Sequence, residues 1–292
     1  MRLTRRQIIQ LGFLGCLGLV GGLGFWGSRS LRLVRTSIWL DRLPEAFDGL
    51  KIGLITDIHS GSLVPQSLIR GGVDLIKAQQ PDLIFLTGDF ITGASLFAWG
   101  RMGEFKPKYL ETCLEELSRL SAPLGQFAVL GNHDFWSGPE AVRAVHAGLT
   151  GLGVQVLRNE ALRLTRKGQG LTLAGVDDYW NNTCDIDRCL KDQPQDVCTI
   201  LLSHNPDINR DVSSVDQRVD LIVSGHTHGG QVVLPFIGSP FMPSYFGQKY
   251  RVGLVQDPGR QTFVSRGLGV FMVPLRLNCP PEVNLITLKK KA

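Results

Sequence analysis

Five of the six histidines in the chain lie within a set of five short blocks that, taken together, also contain aspartate and asparagine. In chain order the blocks are Asp57-Ile58-His59, Gly88-Asp89, Gly131-Asn132-His133-Asp134, Ser203-His204-Asn205 and Gly225-His226-Thr227-His228. Carboxylate oxygen and imidazole nitrogen suit manganese, iron or zinc, and one carboxylate can bridge two cations in a hydrolase. The residue types therefore predict a dinuclear metal site.

Each block on its own also has a purely structural explanation. An aspartate after a strand often caps the next helix, Asn-His-Asp is common in turns, and a single buried histidine usually serves packing. The sixth histidine, His146, lies in the helical pattern Ala141 to Leu149 and is interpreted as a structural or surface residue. It is the order of the five blocks, and their places in the chain, that favour the metal site.

Short apolar runs rich in β-branched residues precede the blocks, as expected of strands buried on both faces. These predicted strands are Lys51 to Thr56, Asp82 to Thr87, Gln126 to Leu130, Leu171 to Val176, Thr199 to Ser203 and Leu221 to Ser224. Helical patterns occupy Ser67 to Gln80, Tyr109 to Leu120 and Pro139 to Leu149, and shorter strands follow at Val154 to Arg158, Leu162 to Thr165, Arg251 to Gln256, Gln261 to Ser265 and Asn284 to Leu288. The pattern predicts an α/β fold, a mixed β-sandwich with helices outside. Because each block directly follows a strand, all five should meet at one crevice.

The order D-x-H, G-D, G-N-H-[DE], H, G-H-x-H resembles the calcineurin-like metallophosphoesterase superfamily, from about Lys51 to Leu288. The resemblance implies a four-layer α/β/β/α sandwich with a dinuclear metal site at the C-terminal ends of the strands. It assigns the metal ligands as Asp57, His59 and His228 for the first ion, Asn132, His204 and His226 for the second, and Asp89 as the bridge.

The same resemblance implies a metal-dependent phosphoric ester hydrolase that needs two divalent ions, manganese, iron or zinc. An activated hydroxide would attack the phosphorus in line, while His133 protonates the leaving alkoxide or stabilises the transition state. His133 and Asp89 are thus the predicted catalytic residues. The segments Ser265 to Gly269 and Asn278 to Glu282 resemble an exported or membrane-anchored branch that includes phosphodiesterases acting on UDP-diacylglucosamine-like molecules.

Substrate recognition stays open at the level of sequence. The main hypothesis is a phosphodiesterase for a lipid-linked, cell-envelope or nucleotide-sugar substrate; the alternatives are a broad phosphomonoesterase and a catalytically silent metal-binding scaffold. Arg266 and Arg276 are candidates to clamp a phosphate, although each can equally pair with a carboxylate. The stretch Leu234 to Tyr250 either forms an apolar lip facing lipid or packs as a turn-rich loop. Asp177 and Asp178 either support the site or cap a loop.

The first 35 residues are interpreted as a twin-arginine-like signal or an N-terminal membrane anchor, and residues 36–292 as the catalytic domain. Arg5-Arg6 precede an apolar, glycine-rich run from Leu11 to Trp26, which is shorter than the roughly 20 residues that span a bilayer comfortably. No Ala-x-Ala cleavage site follows, which favours an uncleaved anchor with the domain outside the cytoplasm; a cytoplasmic-facing membrane protein is the alternative. Cys16 is interpreted as an ordinary cysteine of the apolar segment.

The charge distribution argues against a nucleic-acid partner. The net charge is +5, but six arginines and no acidic residue precede residue 36, so the remainder carries a net charge of −1. We expect a phosphate-ester substrate and a membrane contact through the N-terminal segment, with no obligate protein partner. The six cysteines lack C-x-x-C spacing, and Cys184 and Cys189 are either paired in a loop or free.

Overall fold

Two six-stranded β-sheets organise the computed structural model, which describes residue 18 and residues 21–92, 105–213 and 218–291. The strands are β1 (Arg32–Leu40), β2 (Lys51–Ile55), β3 (Leu83–Thr87), β4 (Gln126–Val129), β5 (Gln155–Val156), β6 (Glu160–Arg166), β7 (Gln169–Gly175), β8 (Thr199–Leu202), β9 (Leu221–Ser224), β10 (Gly253–Asp257), β11 (Arg260–Val264) and β12 (Glu282–Lys290). The helices are α1 (Gln66–Lys77), α2 (Pro107–Leu117), α3 (Asn132–Trp136), α4 (Pro139–Gly151), α5 (Ile186–Leu190) and α6 (Asn209–Val212). Short 3₁₀ turns lie at Glu45–Phe47, Pro206–Ile208 and His228–Gly230.

The first sheet has the strand order β1-β12-β2-β3-β4-β5, and the second has the order β10-β11-β9-β8-β7-β6. Strands β2 to β5 run parallel to one another, as do β7, β8, β9 and β11. Parallel neighbours end at the same edge, so the residues that follow β2, β3 and β4 meet, as do those that follow β8 and β9.

The sheets pack face to face and carry helices on their outer faces. Alternate strand residues point to opposite sides, so Leu83 and Phe85 of β3 join the core between the sheets, whereas Ile84 faces the helices. Three buried clusters follow from this alternation: one between the sheets, one under α1, α2 and α4, and one under α5 and α6. The predicted four-layer α/β/β/α sandwich is confirmed.

The edge strand β1 begins inside the segment that the sequence analysis assigned to a signal or anchor. It pairs in parallel with β12 from Arg32↔Glu282 to Leu40↔Lys290, so the predicted domain boundary between residues 35 and 36 falls within a strand. The preceding residues 21–27 are helical. The arginines at positions 5 and 6, and Cys16, lie outside the described residues. Within the described part of the chain, no helix is long and apolar enough to cross a membrane.

Candidate metal centre

The five blocks follow the C-terminal ends of β2, β3, β4, β8 and β9, the third of them at the start of α3, and backbone hydrogen bonds connect neighbouring segments. The Asp57 amide donates to the Gly88 carbonyl at 3.0 Å, and the His59 amide donates to the Asp89 carbonyl at 2.9 Å. On the second sheet, the Gly225 amide donates to the His204 carbonyl at 3.0 Å. These hydrogen bonds continue the pairing of neighbouring strands for a few residues beyond the strand ends. Side chains that are distant in sequence are therefore held next to one another.

Asp57, His59 and His228 form one group of side chains. The Nε2 atoms of His59 and His228 are 2.9 Å apart, and His228 Nε2 lies 3.4 Å from Asp57 Oδ1. All three side chains are buried, and their ligand atoms lie within 4.8 Å of one another. These are the three residues predicted for the first metal ion.

Asn132, His204 and His226 form a second group next to the first. Asn132 Oδ1 is 2.8 Å from His226 Nδ1 and 3.2 Å from His204 Nε2. His204 Nδ1 donates to the Thr87 carbonyl at 2.7 Å, so its Nε2 is the ring nitrogen that faces Asn132 and Asp89. An amide oxygen and two imidazole nitrogens thus converge, as predicted for the second ion.

Asp89 lies between the two groups. Its Oδ2 is 3.3 Å from His59 Nε2 and 3.2 Å from His204 Nε2, and its Oδ1 accepts the His133 backbone amide at 2.8 Å. The approach of the β4 loop to this carboxylate depends on Gly131, where an added Cβ would stand 2.3 Å from Asp89 Oδ1. One carboxylate oxygen facing a histidine of each group has the placement that a bridging ligand requires.

Five of the seven predicted ligands have a left-handed backbone conformation that side-chain-bearing residues rarely adopt. Their φ angles are 52° at Asp57, 49° at His59, 55° at Asp89, 71° at His226 and 50° at His228. Such conformations cost free energy and persist where the surrounding structure enforces them, typically at functional sites. These backbone conformations direct the side chains of Asp57 and His59, and likewise those of His226 and His228, toward the same small space.

Burial keeps three of the histidines neutral. It lowers the pKa of His59 to about 3 and pulls the pKa values of His226 and His228 well below the ordinary value for histidine. Burial also raises the pKa of Asp57 to about 6, against the opposing positive charge of His204. Neutral imidazole is the form that binds a metal ion.

Asp89 and His204 behave as an ion pair. Burial alone would raise the pKa of Asp89, but the positive charge of His204 and the hydrogen bond from its ring hold it well below the usual range. Burial alone would lower the pKa of His204, yet the Asp89 carboxylate raises it to about 10. Asp89 is therefore an anion in this cluster across the physiological pH range.

These donors fit a pair of divalent cations. The His59 and His228 rings face each other through their Nε2 atoms at 2.9 Å, and both His226 Nδ1 and His204 Nε2 face the Asn132 amide oxygen. Buried polar groups are normally hydrogen-bonded, and this crowding of nitrogens and oxygens leaves coordinating lone pairs directed at one another. The structure brings together all seven predicted ligands.

His133 stands at the edge of the cluster among aromatic rings. Its ring centroid is 4.8 Å from that of His59, 4.9 Å from that of Trp136 and 5.1 Å from that of Phe271. Burial lowers the pKa of His133, so its ring is neutral at neutral pH and can donate one N–H hydrogen bond. Trp180 covers the other side of the centre, 4.3 Å from the His226 ring and stacked on Trp136 at 6.2 Å.

Trp136, Trp180 and Phe271 received no role in the sequence analysis. Trp136 follows the Gly-Asn-His-Asp block by two residues and Trp180 follows Asp178 by two, so both lie near residues already noted. Phe271 follows Ser265 to Gly269, a segment noted for its resemblance to one branch. An aromatic residue near a loop motif is too common a feature to stand out without the fold.

Asp134 also has a role that the sequence did not predict. Its carboxylate accepts the backbone amides of Asp89 at 3.0 Å, Phe90 at 3.0 Å, Ile91 at 3.3 Å and Gly131 at 2.9 Å. Burial, and then the charge of Asp89, raises the pKa of Asp134 to about 7. Asp134 thereby joins the β3 loop to the β4 loop and positions Asp89. Its place as the last residue of Gly-Asn-His-Asp was the available signal.

The two arginines predicted as phosphate clamps have different surroundings. Arg266 Nε lies 3.2 Å from Glu282 Oε2, the carboxylate pairing that was the stated alternative. Arg276 is 1% exposed; its guanidinium donates to several backbone carbonyls, among them Gly269 O at 2.6 Å, and contacts His228 Nδ1 at 3.2 Å. These contacts point to Arg276 as a residue that orients His228 and not as one that reaches a substrate.

The remaining candidates lie beside the centre or away from it. Asp178 is buried, accepts hydrogen bonds from Asn181 at 2.7 and 3.0 Å, and has a pKa raised to about 6 by burial. His146 is half-buried in α4. Cys184 and Cys189 are free thiols, as are Cys113, Cys198 and Cys279.

Comparison with known proteins identifies the family. The family model for calcineurin-like phosphoesterases matches residues 50–230, and the chain belongs to this family. It is 31% identical over 296 residues to the metallophosphoesterase YkuE of Bacillus subtilis, covering 99% of this chain and 98% of that protein. It is 33% identical over 238 residues to the phosphodiesterase YaeI of Escherichia coli, covering 82% of each chain. A dimetal phosphatase from Danio rerio superposes with a TM-score of 0.46 at 15% identity, covering 76% of this chain and 88% of that one.

The protein is a metal-dependent phosphoesterase with the calcineurin-like fold, and divalent metal ions are its cofactors.

Proposed function

We propose that the protein is a membrane-associated phosphodiesterase that cleaves a phosphate diester or pyrophosphate in a lipid-linked, cell-envelope or nucleotide-sugar molecule, of which UDP-diacylglucosamine is one example. The observation that carries the proposal is the aromatic wall formed by Trp136, Trp180 and Phe271 directly beside the ligands. A diester presents an organic group on both sides of the phosphorus. Apolar ring faces beside His133 and His226 favour such a group over water.

The nearby arginines also favour a diester over a monoester. A phosphomonoester carries a second negative charge near neutral pH, which enzymes commonly neutralise with arginine or lysine. Here Arg276 is committed to backbone carbonyls and His228, and Arg266 pairs with Glu282. The name of the Escherichia coli relative, a phosphodiesterase, supports the same choice.

The chain's own residues have distinct tasks in this reaction. Bound divalent cations would supply Lewis acidity that activates water and offsets charge on the phosphoryl oxygens. Asp57, His59, Asp89, Asn132, His204, His226 and His228 would hold them. His133, neutral and beside the centre, would donate its N–H to the leaving-group oxygen or to the phosphoryl group as negative charge develops there. The aromatic wall would exclude water from the leaving group.

Paired hydrolysis assays test the proposal. Full-length protein, reconstituted separately with Mn²⁺, Fe²⁺ and Zn²⁺, would be given bis-p-nitrophenyl phosphate and p-nitrophenyl phosphate. We expect metal-dependent turnover that prefers the diester, and a marked loss of diester turnover in Trp180→Ala, with His146→Ala as the matched control. Preference for the monoester would favour the phosphomonoesterase alternative. Inactivity of metal-loaded protein on these and on lipid-linked pyrophosphates would favour a scaffold.

Export is proposed separately, on the basis of Arg5-Arg6 and the apolar run that follows them. The catalytic domain would face the extracytoplasmic side. Cell fractionation with protease accessibility, comparing the wild type with Arg5→Lys, Arg6→Lys, tests the route. Unchanged surface exposure of the double variant would exclude twin-arginine export.

A further inference from the structure

Exposed large apolar side chains concentrate at one end of the described molecule. Of the nine such residues, three lie in residues 21–27, four in residues 236–245, and one is Val273. Trp26 is 71% exposed and Tyr245 is 69% exposed. Only Trp39 lies elsewhere, paired in register with Lys289 near the N-terminal end of β2, opposite the metal centre. Contiguous exposed apolar surface of this kind usually marks a binding surface.

Backbone hydrogen bonds join the three segments into one continuous rim. The Arg276 amide donates to the Gly24 carbonyl at 2.8 Å, which attaches the helical residues 21–27 to the segment that contains Val273. The Leu277 amide donates to the Gln231 carbonyl at 2.9 Å, which attaches that segment to the loop carrying Phe236 and Phe241. We call these joined segments, residues 21–28, 231–246 and 271–277, the apolar rim.

The N-terminal part of the rim is closely docked. At Gly27 an added Cβ would stand 2.1 Å from the Arg276 carbonyl oxygen, so only glycine permits this approach. At Gly24 an added Cβ would lie 3.4 Å from the Leu275 side chain. The run of apolar residues that begins at Leu11 therefore leads directly into the rim.

The rim borders the metal centre. Phe271 contacts the ring of His133 at 5.1 Å, and Tyr245 lies 6.4 Å from Trp180, which in turn contacts His226 at 4.3 Å. A partner that binds the rim would therefore cover the opening of the catalytic site.

The sequence segments that build the rim contain no acidic residue. Residues 18–40, 221–256 and 258–281 lack aspartate and glutamate, whereas they contain arginines and one lysine. The exposed Arg29 guanidinium lies 3.8 Å from the centroid of the Phe25 ring. The acidic residues next to the rim are engaged: Asp207 is buried and accepts hydrogen bonds from Ser244 and Tyr245, and Asp257 pairs with Lys249. An apolar surface with exposed tryptophan, phenylalanine and tyrosine, an exposed arginine at its border and no acidic residue in its own segments matches the interface of an anionic bilayer.

We propose that the apolar rim docks onto an anionic lipid bilayer, with the aromatic side chains at the headgroup level and the catalytic mouth facing the membrane. Three features select lipid as the occupant: the apolar run leading into the rim, the aromatic composition, and the missing acidic residues. The surface itself does not depend on the reaction. The corollary that the substrate enters from the bilayer rests on the proposed function.

Hydrogen exchange of the full-length protein tests the proposal. Exchange would be measured with vesicles of phosphatidylethanolamine and phosphatidylglycerol, with phosphatidylcholine vesicles, and without lipid. We expect slower exchange in residues 231–246 and 271–277 with the anionic vesicles, a weaker effect with phosphatidylcholine, and no change around Trp39. Unchanged exchange in the rim, equal protection by both lipids, or protection that appears without lipid as protein concentration rises would overturn the proposal, the last outcome indicating a second copy.

Substitutions separate the rim from any anchoring by the N-terminal segment. Phe236→Ser and Phe241→Ser should each weaken vesicle-induced protection of the rim about tenfold in lipid concentration, while the matched Trp39→Ser should leave it unchanged. Equal behaviour of all three variants would also contradict the proposal. Because these measurements follow docking alone, their failure would leave the hydrolysis assays, and the proposed phosphodiesterase, unaffected.

Discussion

Two buried clusters of charge in this protein are built in opposite ways. At the metal centre, imidazole nitrogens face one another and three buried ring nitrogens have no partner. Between α1 and α2, the buried Glu116 carboxylate has a donor for each oxygen: Gln66 at 2.8 Å, Arg70 at 2.8 and 3.0 Å, and Arg119 at 2.9 Å.

The difference distinguishes a structural carboxylate from a functional one. Glu116 lies inside a satisfied network, and a satisfied network stabilises the fold. The Asp89 cluster costs stability through burial, left-handed backbone and imidazole nitrogens that face one another. A bound cation would satisfy these inward-facing nitrogens. Substitutions at the two clusters should therefore affect different measurements.

The largest expected effect is at the bridging position. Asp89→Asn removes the anion that faces a histidine of each group, and we expect hydrolysis of bis-p-nitrophenyl phosphate to fall by about 10³-fold or more. Metal content, measured by elemental analysis, should fall below two ions per chain. Asp74→Asn, an exposed carboxylate on α1, is the control and should retain both. Full activity with two ions in Asp89→Asn would remove the bridging role.

The next effect separates catalysis from metal binding. His133→Gln should lower turnover by about 10²- to 10⁴-fold, because the N–H donor beside the centre is misplaced. Metal content should stay at the wild-type value. His146→Gln, on α4, should change neither quantity. Loss of metal in His133→Gln would instead identify His133 as a ligand.

A smaller effect is expected from the arginine behind the first group. Arg276→Lys loses the guanidinium hydrogen bonds to the carbonyls of His228 and Gly269 that hold the loop of the first group, and metal affinity should fall by about 10- to 100-fold. Competition with a chelator gives the affinity without any substrate, and thermal unfolding of the same samples monitors the fold. Arg266→Lys, which alters the pair with Glu282, should leave the affinity near wild type. If both variants bind metal equally well, Arg276 does not orient His228.

The smallest effect lies in the satisfied cluster. Hydrogen bonds from Arg70, followed by those from Gln66 and Arg119 against opposing burial, lower the pKa of Glu116. A lowered folded-state pKa means stabilisation that is present above the ordinary glutamate pKa and lost as pH falls through the folded value. Glu116→Gln should reduce the free energy of unfolding by about 1–3 kcal/mol at pH 7, and this difference should shrink in acid.

Chemical denaturation across pH measures this difference, with exposed Glu111→Gln as the control. Hydrolysis per folded molecule should stay at the wild-type value in Glu116→Gln. A difference from wild type that does not change with pH would mean that charge at Glu116 plays no part. If Glu116→Gln lost activity while remaining folded, Glu116 would not be a purely structural carboxylate, and the contrast with the metal centre would be wrong.

Local pattern was sufficient to predict the strands that carry the metal-ligand blocks. The strands β2, β3, β4, β8 and β9 were predicted within one or two residues, because short β-branched runs bounded by polar turns have few alternatives. The sequence does not predict strand β1, since its first four residues continue the apolar and basic N-terminal segment interpreted as a signal or anchor, and the rest have no distinctive pattern. Only the pairing of β1 with β12, almost 250 residues later in the chain, identifies it as part of the catalytic fold.

The sequence by itself determined the class of fold and the set of residues with metal-ligand chemistry, because ligand types and strand endings are local properties. Tertiary structure decided what those residues touch. It directed Arg276 toward His228 and backbone carbonyls, made Asp134 the tie between two loops, and placed Trp180 beside His226. These roles depend on contacts between segments far apart in the chain, and spacing along one strand or helix carries no information about such contacts.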